Sequence, residues 1–203
     1  MSLTFYYSPQ SSASPVHWTL EELGIPYEKV VVDIRKGENK TPEYLKINPN
    51  GVVPALVHDG VAIFESAAIQ IYLGETFGVE KGLYPPPGPA RGEVMKWIVW
   101  TNVTLGDAMS RLGRNLGNWG PEDERNAKAG QTAKADLTRL LGIVEATLQG
   151  RSYLTGEGFT LADLHLASWM EYVAMVGMDT SGMANLSAWV KRCGARPAHE
   201  RAP

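Results

Sequence analysis

A chain of 203 residues, 44% hydrophobic and 20% charged, has apolar material for one or two globular cores, which excludes intrinsic disorder. No run approaches the roughly 18 apolar residues of a transmembrane helix, and the opening MSLTFYYSPQ has no readable secretory signal. The net charge of −3 disfavours nucleic acid as a partner. The lone cysteine, Cys193, excludes an internal disulfide, a CxxC redox pair and a cysteine-rich metal site, so a reducing, cytoplasmic setting is expected.

The first eighty residues alternate short β-like runs with helical patterns. LTFYY (3–7) reads as a strand that ends at Ser8-Pro9. VHWTLEELG (16–24) has apolar Val16, Leu20 and Leu23 at helical spacing and stops at Gly24. YEKVVVDI (27–34) reads as a second strand. TPEYLKINP (41–49) reads as a short helix with Thr41 as its cap and Pro42 at its first position. VPALVHDG (53–60) and VAIFES (61–66) are two β runs joined by Asp59-Gly60, a strong hairpin dipeptide. SAAIQIYLGETFG (66–78) is a helix opened by Ser66.

After the Pro-rich LYPPPGPARG (83–92) the character changes. Residues 93–112, 121–149, 160–177 and 185–197 all read as helices, and no convincing strand follows. Charge changes too: residues 1–80 carry net −5 and residues 81–203 net +2. The expected domains are therefore an α/β unit over 1–80 and an all-α unit over 87–203, with the boundary near 79–87.

Read in order, YYSPQSSASP, NPNGVVPAL, Glu65-Ser66, the Pro-rich linker and GFTLADLHLASW resemble the cytosolic glutathione transferases of bacterial type. The resemblance covers essentially the whole chain. It implies a thioredoxin-like N-terminal domain followed by an all-α C-terminal domain, with glutathione as co-substrate and a homodimeric assembly. It implies addition or substitution by the glutathione thiolate at an electrophilic carbon of a small hydrophobic substrate, and hence detoxification. The alternatives within the same fold are a non-catalytic binder of glutathione or hydrophobic ligands, and a glutathione-dependent peroxidase.

The resemblance also assigns residues. Pro54 would follow a cis peptide bond, and the backbone of Val53 would pair with the cysteinyl part of glutathione. Glu65 and Ser66, at a helix N-terminus, would take the γ-glutamyl ammonium and carboxylate. The thiol needs a hydroxyl donor just after the first strand. Ser11, two residues past Pro9, occupies the serine-type position, with Ser12 and Tyr7 as alternatives. The cysteine-type classes and their disulfide exchange are disfavoured, because no cysteine lies in this loop. The stretch SSASPVHW partly resembles the SSCSWR signature of the zeta-type isomerases, but lacks its Cys and Trp-Arg.

In the helical half, Thr160 and Asp163 form a capping-box pattern with a structural meaning. His17 and His165, in apolar helices, read as satisfied core or boundary histidines rather than ligands, and no spacing suggests a metal site. Asn102, Gly106 and Met109, at helical spacing, are candidates for the wall of an electrophile pocket.

Overall fold

The computed structural model describes residues 2–202. It divides into two compact units. One runs to Gly88 and includes the C-terminal segment from Arg196; the other is Pro89–Ala195. The C-terminal segment thus lies with the α/β unit, whereas the sequence pattern assigned all of 87–203 to the helical one.

The first unit is built on a four-stranded sheet in the order β2-β1-β3-β4. Strand β1 is Leu3–Tyr7, β2 Glu28–Val31, β3 Ala55–His58 and β4 Val61–Phe64. β1 and β2 are parallel and joined through helix α1 (Ser14–Leu23); β1–β3 and β3–β4 are antiparallel. This mixed sheet with its flanking helices is the thioredoxin-like arrangement. Gly24, at φ 62°, ends α1 by donating its amide to the Leu20 carbonyl, the left-handed cap that glycine adopts without steric cost. The β3–β4 turn has φ 46° at Asp59 and 85° at Gly60, the positive pair that a two-residue hairpin demands.

β2 is shorter than its sequence pattern. The chain turns at Asp33, whose carboxylate accepts from the amides of Arg35 and Lys36 and starts a 3₁₀ turn over Ile34–Lys36. Helix α2 (Pro42–Leu45) is capped by Thr41, whose hydroxyl accepts from the Tyr44 amide at 3.3 Å. Helix α3 (Ser66–Leu73) follows β4 directly. Phe5, Leu20, Leu23, Leu56, Ile69 and Leu73 are completely buried and form the core between sheet and helices.

The second unit contains α4 (Pro89–Trp100), α5 (Gly106–Asn115), α6 (Ala127–Thr147), α7 (Leu161–Met175) and α8 (Ala184–Gly194). The helix expected over 93–112 is continuous but widened: α4 passes into α5 through a π turn at Thr101–Leu105. The Thr101 hydroxyl donates to the Trp97 carbonyl at 2.8 Å, and the Gly106 amide reaches five residues back to the Thr101 carbonyl. Such widened turns insert a residue into the hydrogen-bond ladder.

Asp163 at the start of α7 completes the expected capping box and does more. Its carboxylate accepts from the Leu154 amide (2.7 Å), the Thr160 amide (3.0 Å) and hydroxyl (3.1 Å), and the Trp189 indole of α8 (2.9 Å). Burial pushes its pKa up, and these four hydrogen bonds pull it back without cancelling the effect.

Helix α9 (Pro197–Glu200) lies against α1 in the first unit. Arg196 grips the Glu22 carboxylate in a fork, at 2.6 and 2.7 Å. Arg201 reaches Glu21 at 2.9 Å, and His199 sits edge-on to Trp18 with ring centroids 4.5 Å apart. Among the described residues no helix is long and apolar enough to cross a membrane.

Candidate functional site

Strand register brings three loops to one end of the sheet. Tyr6 on β1 pairs with Ala55 on β3, which pairs with Phe64 on β4. β1 ends one residue past this row, at Tyr7, while β3 begins and β4 ends in it. The loop 8–13, the Val53-Pro54 step and Glu65-Ser66 therefore all leave the sheet at the same edge. They are the three segments singled out in the sequence.

The first loop is tied by its serines. The Ser11 hydroxyl donates to the Ser8 carbonyl at 2.6 Å and accepts from the Ala13 amide at 3.2 Å. The Ser14 amide and hydroxyl both donate to the Ser11 carbonyl at 3.1 Å. Ser11 thus forms the turn that opens α1, and its oxygen lies against the helix's N-terminal amides, where partial positive charge gathers. Gln10, at φ 52°, makes the left-handed step that lets the chain double back. Ser12 points elsewhere: its hydroxyl donates to the carbonyl of Val53, 3.0 Å away.

Tyr7 belongs to the aromatic layer between sheet and α1. Its ring stacks on Phe5 (5.2 Å between centroids, planes 9° apart) and meets His17 at 5.4 Å. His17 differs from the sequence expectation. Both its ring nitrogens are buried without a hydrogen-bond partner, inside a cage of Phe5, Tyr7 and Tyr27. Burial and nearby Lys29 lower its pKa, which keeps the ring neutral.

The Val53-Pro54 bond is cis, as the family resemblance implies. The loop before it is held from several sides. The Val52 carbonyl accepts from the Asn48 amide (2.7 Å) and the Tyr44 hydroxyl (2.8 Å). Burial, with Tyr6 adding to it, pushes the Tyr44 pKa up to about 12, so the hydroxyl remains a donor. Gly51 has φ 60°, and a Cβ there would fall 2.9 Å from the Asn39 carbonyl oxygen, a contact that only glycine avoids.

Glu65 is exposed and holds φ 70°, ψ 116°, a conformation costing about 1–3 kcal/mol for a side-chain-bearing residue. It hands the chain from β4 to α3 with Ser66, 4% exposed, as the first helical residue. Strain of this kind gathers where a ligand is held.

Two family models match the chain: "Glutathione S-transferase, N-terminal domain" over residues 1–75 and "Glutathione S-transferase, C-terminal domain" over residues 108–197. Glutathione S-transferase GstB of Escherichia coli (strain K12) is 31% identical over 182 residues, which is 89% of this chain and 86% of its own. The chain belongs to the glutathione S-transferase family. Among solved structures, the theta class glutathione S-transferase of Xanthomonas axonopodis pv. citri, with glutathione bound, is 30% identical at a TM-score of 0.87, covering 99% of this chain and 96% of that one. The glutathione transferase URE2P8 of Phanerochaete chrysosporium, with oxidized glutathione, is 27% identical at a TM-score of 0.89, covering 99% and 93%.

In this transferase the three residues picked from the helical half have other neighbours as well. Asn102 lies in the π turn, its Oδ1 2.6 Å from Nε2 of His165 on α7. Gly106 faces Trp169: a Cβ there would come within 3.0 Å of the indole. Met109 is almost fully buried. His165 therefore uses one nitrogen on Asn102, while Nδ1 is buried without a hydrogen-bond partner; complete burial lowers its pKa to about 3. The expectation of a satisfied histidine thus holds for Nε2 and not for Nδ1. The Asn102 contact spans 63 residues, beyond any local pattern. No group of three or more His, Cys, Asp or Glu able to hold a metal occurs among the described residues.

Proposed function

We propose that this glutathione S-transferase binds glutathione across the three converging loops and presents its thiolate to an electrophilic carbon of a small hydrophobic substrate. The observation that carries the reading is the row Tyr6–Ala55–Phe64, which delivers Ser11, Val53 and Ser66 to one end of one sheet. The Val53 carbonyl accepts one bond from Ser12 and keeps a second lone pair for the cysteinyl amide. Ser66, at the N-terminus of α3, takes the γ-glutamyl carboxylate, and exposed Glu65 takes the ammonium.

Ser11 is the proposed thiolate donor. A free thiol has a pKa near 8.5, and lowering it by about two units requires ~2.7 kcal/mol. A charge-assisted hydrogen bond with the field of a helix N-terminus supplies that amount. Only the hydroxyl hydrogen has to turn, from the Ser8 carbonyl toward the sulfur; the oxygen continues to accept from Ala13. The thiol proton goes to solvent. The thiolate then forms the new S–C bond, and a leaving group departs or a proton adds to the adduct. Glutathione itself supplies the nucleophile, so no enzyme-bound covalent intermediate is required. Asn102, Gly106 and Met109 are proposed to shape the electrophile side, in a cytoplasmic homodimer serving detoxification.

Ultraviolet titration of bound glutathione tests the reading. Ser11→Ala should raise the thiol pKa and lower turnover of a generic aryl halide about 10–1,000-fold. An unshifted titration in Ser11→Ala, with a shift in Ser12→Ala or Tyr7→Phe, transfers the role to that hydroxyl. Tight glutathione binding without turnover of aryl halide or hydroperoxide leaves the non-catalytic binder.

A further inference from the structure

Helices α1 and α3 lie side by side, and each carries one of the N-termini assigned to glutathione. Most of their shared interior is apolar, with Leu20, Leu23, Ile69 and Leu73 fully buried. Two polar residues break that pattern. Thr19 on α1 and Gln70 on α3 are both completely buried. The Thr19 hydroxyl lies 2.6 Å from Gln70 Oε1 and 2.9 Å from the Pro15 carbonyl, and Gln70 Nε2 donates to that carbonyl at 2.8 Å. The three groups close a ring. The hydroxyl gives its hydrogen to the Gln70 oxygen or to Pro15, and the amide spans the two helices.

The ring's place in the fold gives it meaning. Pro15 is in the first turn of α1, four residues past Ser11, and Gln70 is four residues past Ser66. The ring therefore sits about one turn beneath each binding N-terminus. Apolar contact is non-directional and sets the relative rotation of two helices less sharply than a hydrogen bond does. A closed hydrogen-bond ring in a dry interior has one geometry, and any displacement leaves a buried group unpaired.

We infer that Thr19 and Gln70 are positioning residues for the transferase reaction: they fix the spacing and rotation of the α1 and α3 N-termini, so that the thiol end and the γ-glutamyl end of one glutathione molecule are held at once. The inference rests on the placement of glutathione proposed above. Neither residue touches the ligand. Each acts through the helix that carries Ser11 or Ser66.

The test is the double variant Thr19→Val/Gln70→Met, which keeps both shapes and removes both partners, so that no new polar group is stranded. Melting, KM for glutathione, kcat and the bound-thiol titration are measured on the full chain. The expected result is a folded protein whose KM rises about tenfold and whose bound thiol titrates at higher pH, since sub-ångström misplacement weakens simultaneous contacts steeply. Thr19→Ser, which keeps the hydroxyl, should behave as wild type. If the double variant does not fold, Thr19→Val alone serves the same comparison. A folded variant with wild-type KM and titration overturns the inference, even if its melting temperature falls. Wild-type protein that fails to bind glutathione in calorimetry overturns the placement of glutathione as well.

Discussion

The hydroxyl of Ser12 donates to the carbonyl of Val53 at 3.0 Å, tying the loop before α1 to the cis-proline step 41 residues away. The hydroxyl of its neighbour Ser11 instead donates to the Ser8 carbonyl and accepts from the Ala13 amide, within the turn that opens α1. Two adjacent serines of one loop thus hold different things, and their substitution should produce different defects. Ser12→Ala frees the Val53 carbonyl and should raise KM for glutathione several-fold with little change in the bound-thiol titration. Ser11→Ala should shift the titration upward and lower kcat. Steady-state kinetics alongside ultraviolet titration separate the two.

Asp163 satisfies four buried donors. Asp163→Ala strands the Leu154 amide and the Trp189 indole together, and should cost about 2–4 kcal/mol. Asp163→Asn should not rescue it, because its amide presents hydrogens to groups that are themselves donors. Denaturant unfolding followed by tryptophan fluorescence checks both. Glutathione turnover per folded molecule should be unchanged at a temperature where the variant is intact.

His165 gives a pH dependence of definite sign. Its folded pKa, about 3, lies below the unfolded value near 6.5, so the unfolded chain binds more protons between the two. Stability is full above about pH 6.5 and falls as pH drops toward 3, by ~1.4 kcal/mol per pH unit for this one group. His17, also lowered, adds a loss of the same sign. His165→Gln keeps a nitrogen donor in place of Nε2 and cannot titrate. Its unfolding free energy should fall less steeply between pH 6.5 and 4 than that of the wild type.

The Glu22 side chain is 8% exposed and is held by the Arg196 fork. Arg196→Ala leaves that carboxylate with the Trp18 indole, 3.2 Å away, in place of a charge partner. A loss of about 1–3 kcal/mol is expected, with α1 loosening first. Hydrogen exchange should show the amides of residues 14–24 becoming less protected while those of α6 and α7 do not change.

What the sequence disclosed was mostly local. The Thr41 cap, the Asp59-Gly60 turn and the capping box of Thr160 with Asp163 act within a few residues of themselves and can be read from spacing alone; the reach of Asp163 to the Trp189 indole cannot. The family resemblance added Pro54 and the Glu65–Ser66 step. What stayed hidden depends on chain segments that meet only after folding. Ser12 with Val53, Thr19 with Gln70, Asn102 with His165 and Glu22 with Arg196 are separated by 41, 51, 63 and 174 residues. The unsatisfied nitrogens of His17 were equally illegible: an apolar helix face implies burial, but cannot reveal that Phe5, Tyr7 and Tyr27 surround the ring.

The fork between Arg196 and Glu22 also bears on how the protein is made. Synthesis runs from the N-terminus, so α1 leaves the ribosome long before the residues that clasp it. For most of that time Glu22 has no guanidinium partner and Trp18 no cover from His199. The segment from Pro89 to Ala195 can gather its own core meanwhile, but the α/β unit receives α9 only after that whole segment has been made. A nascent chain stalled before residue 196 should therefore carry a protease-sensitive first unit, which becomes resistant once Arg196, His199 and Arg201 have emerged and closed on α1.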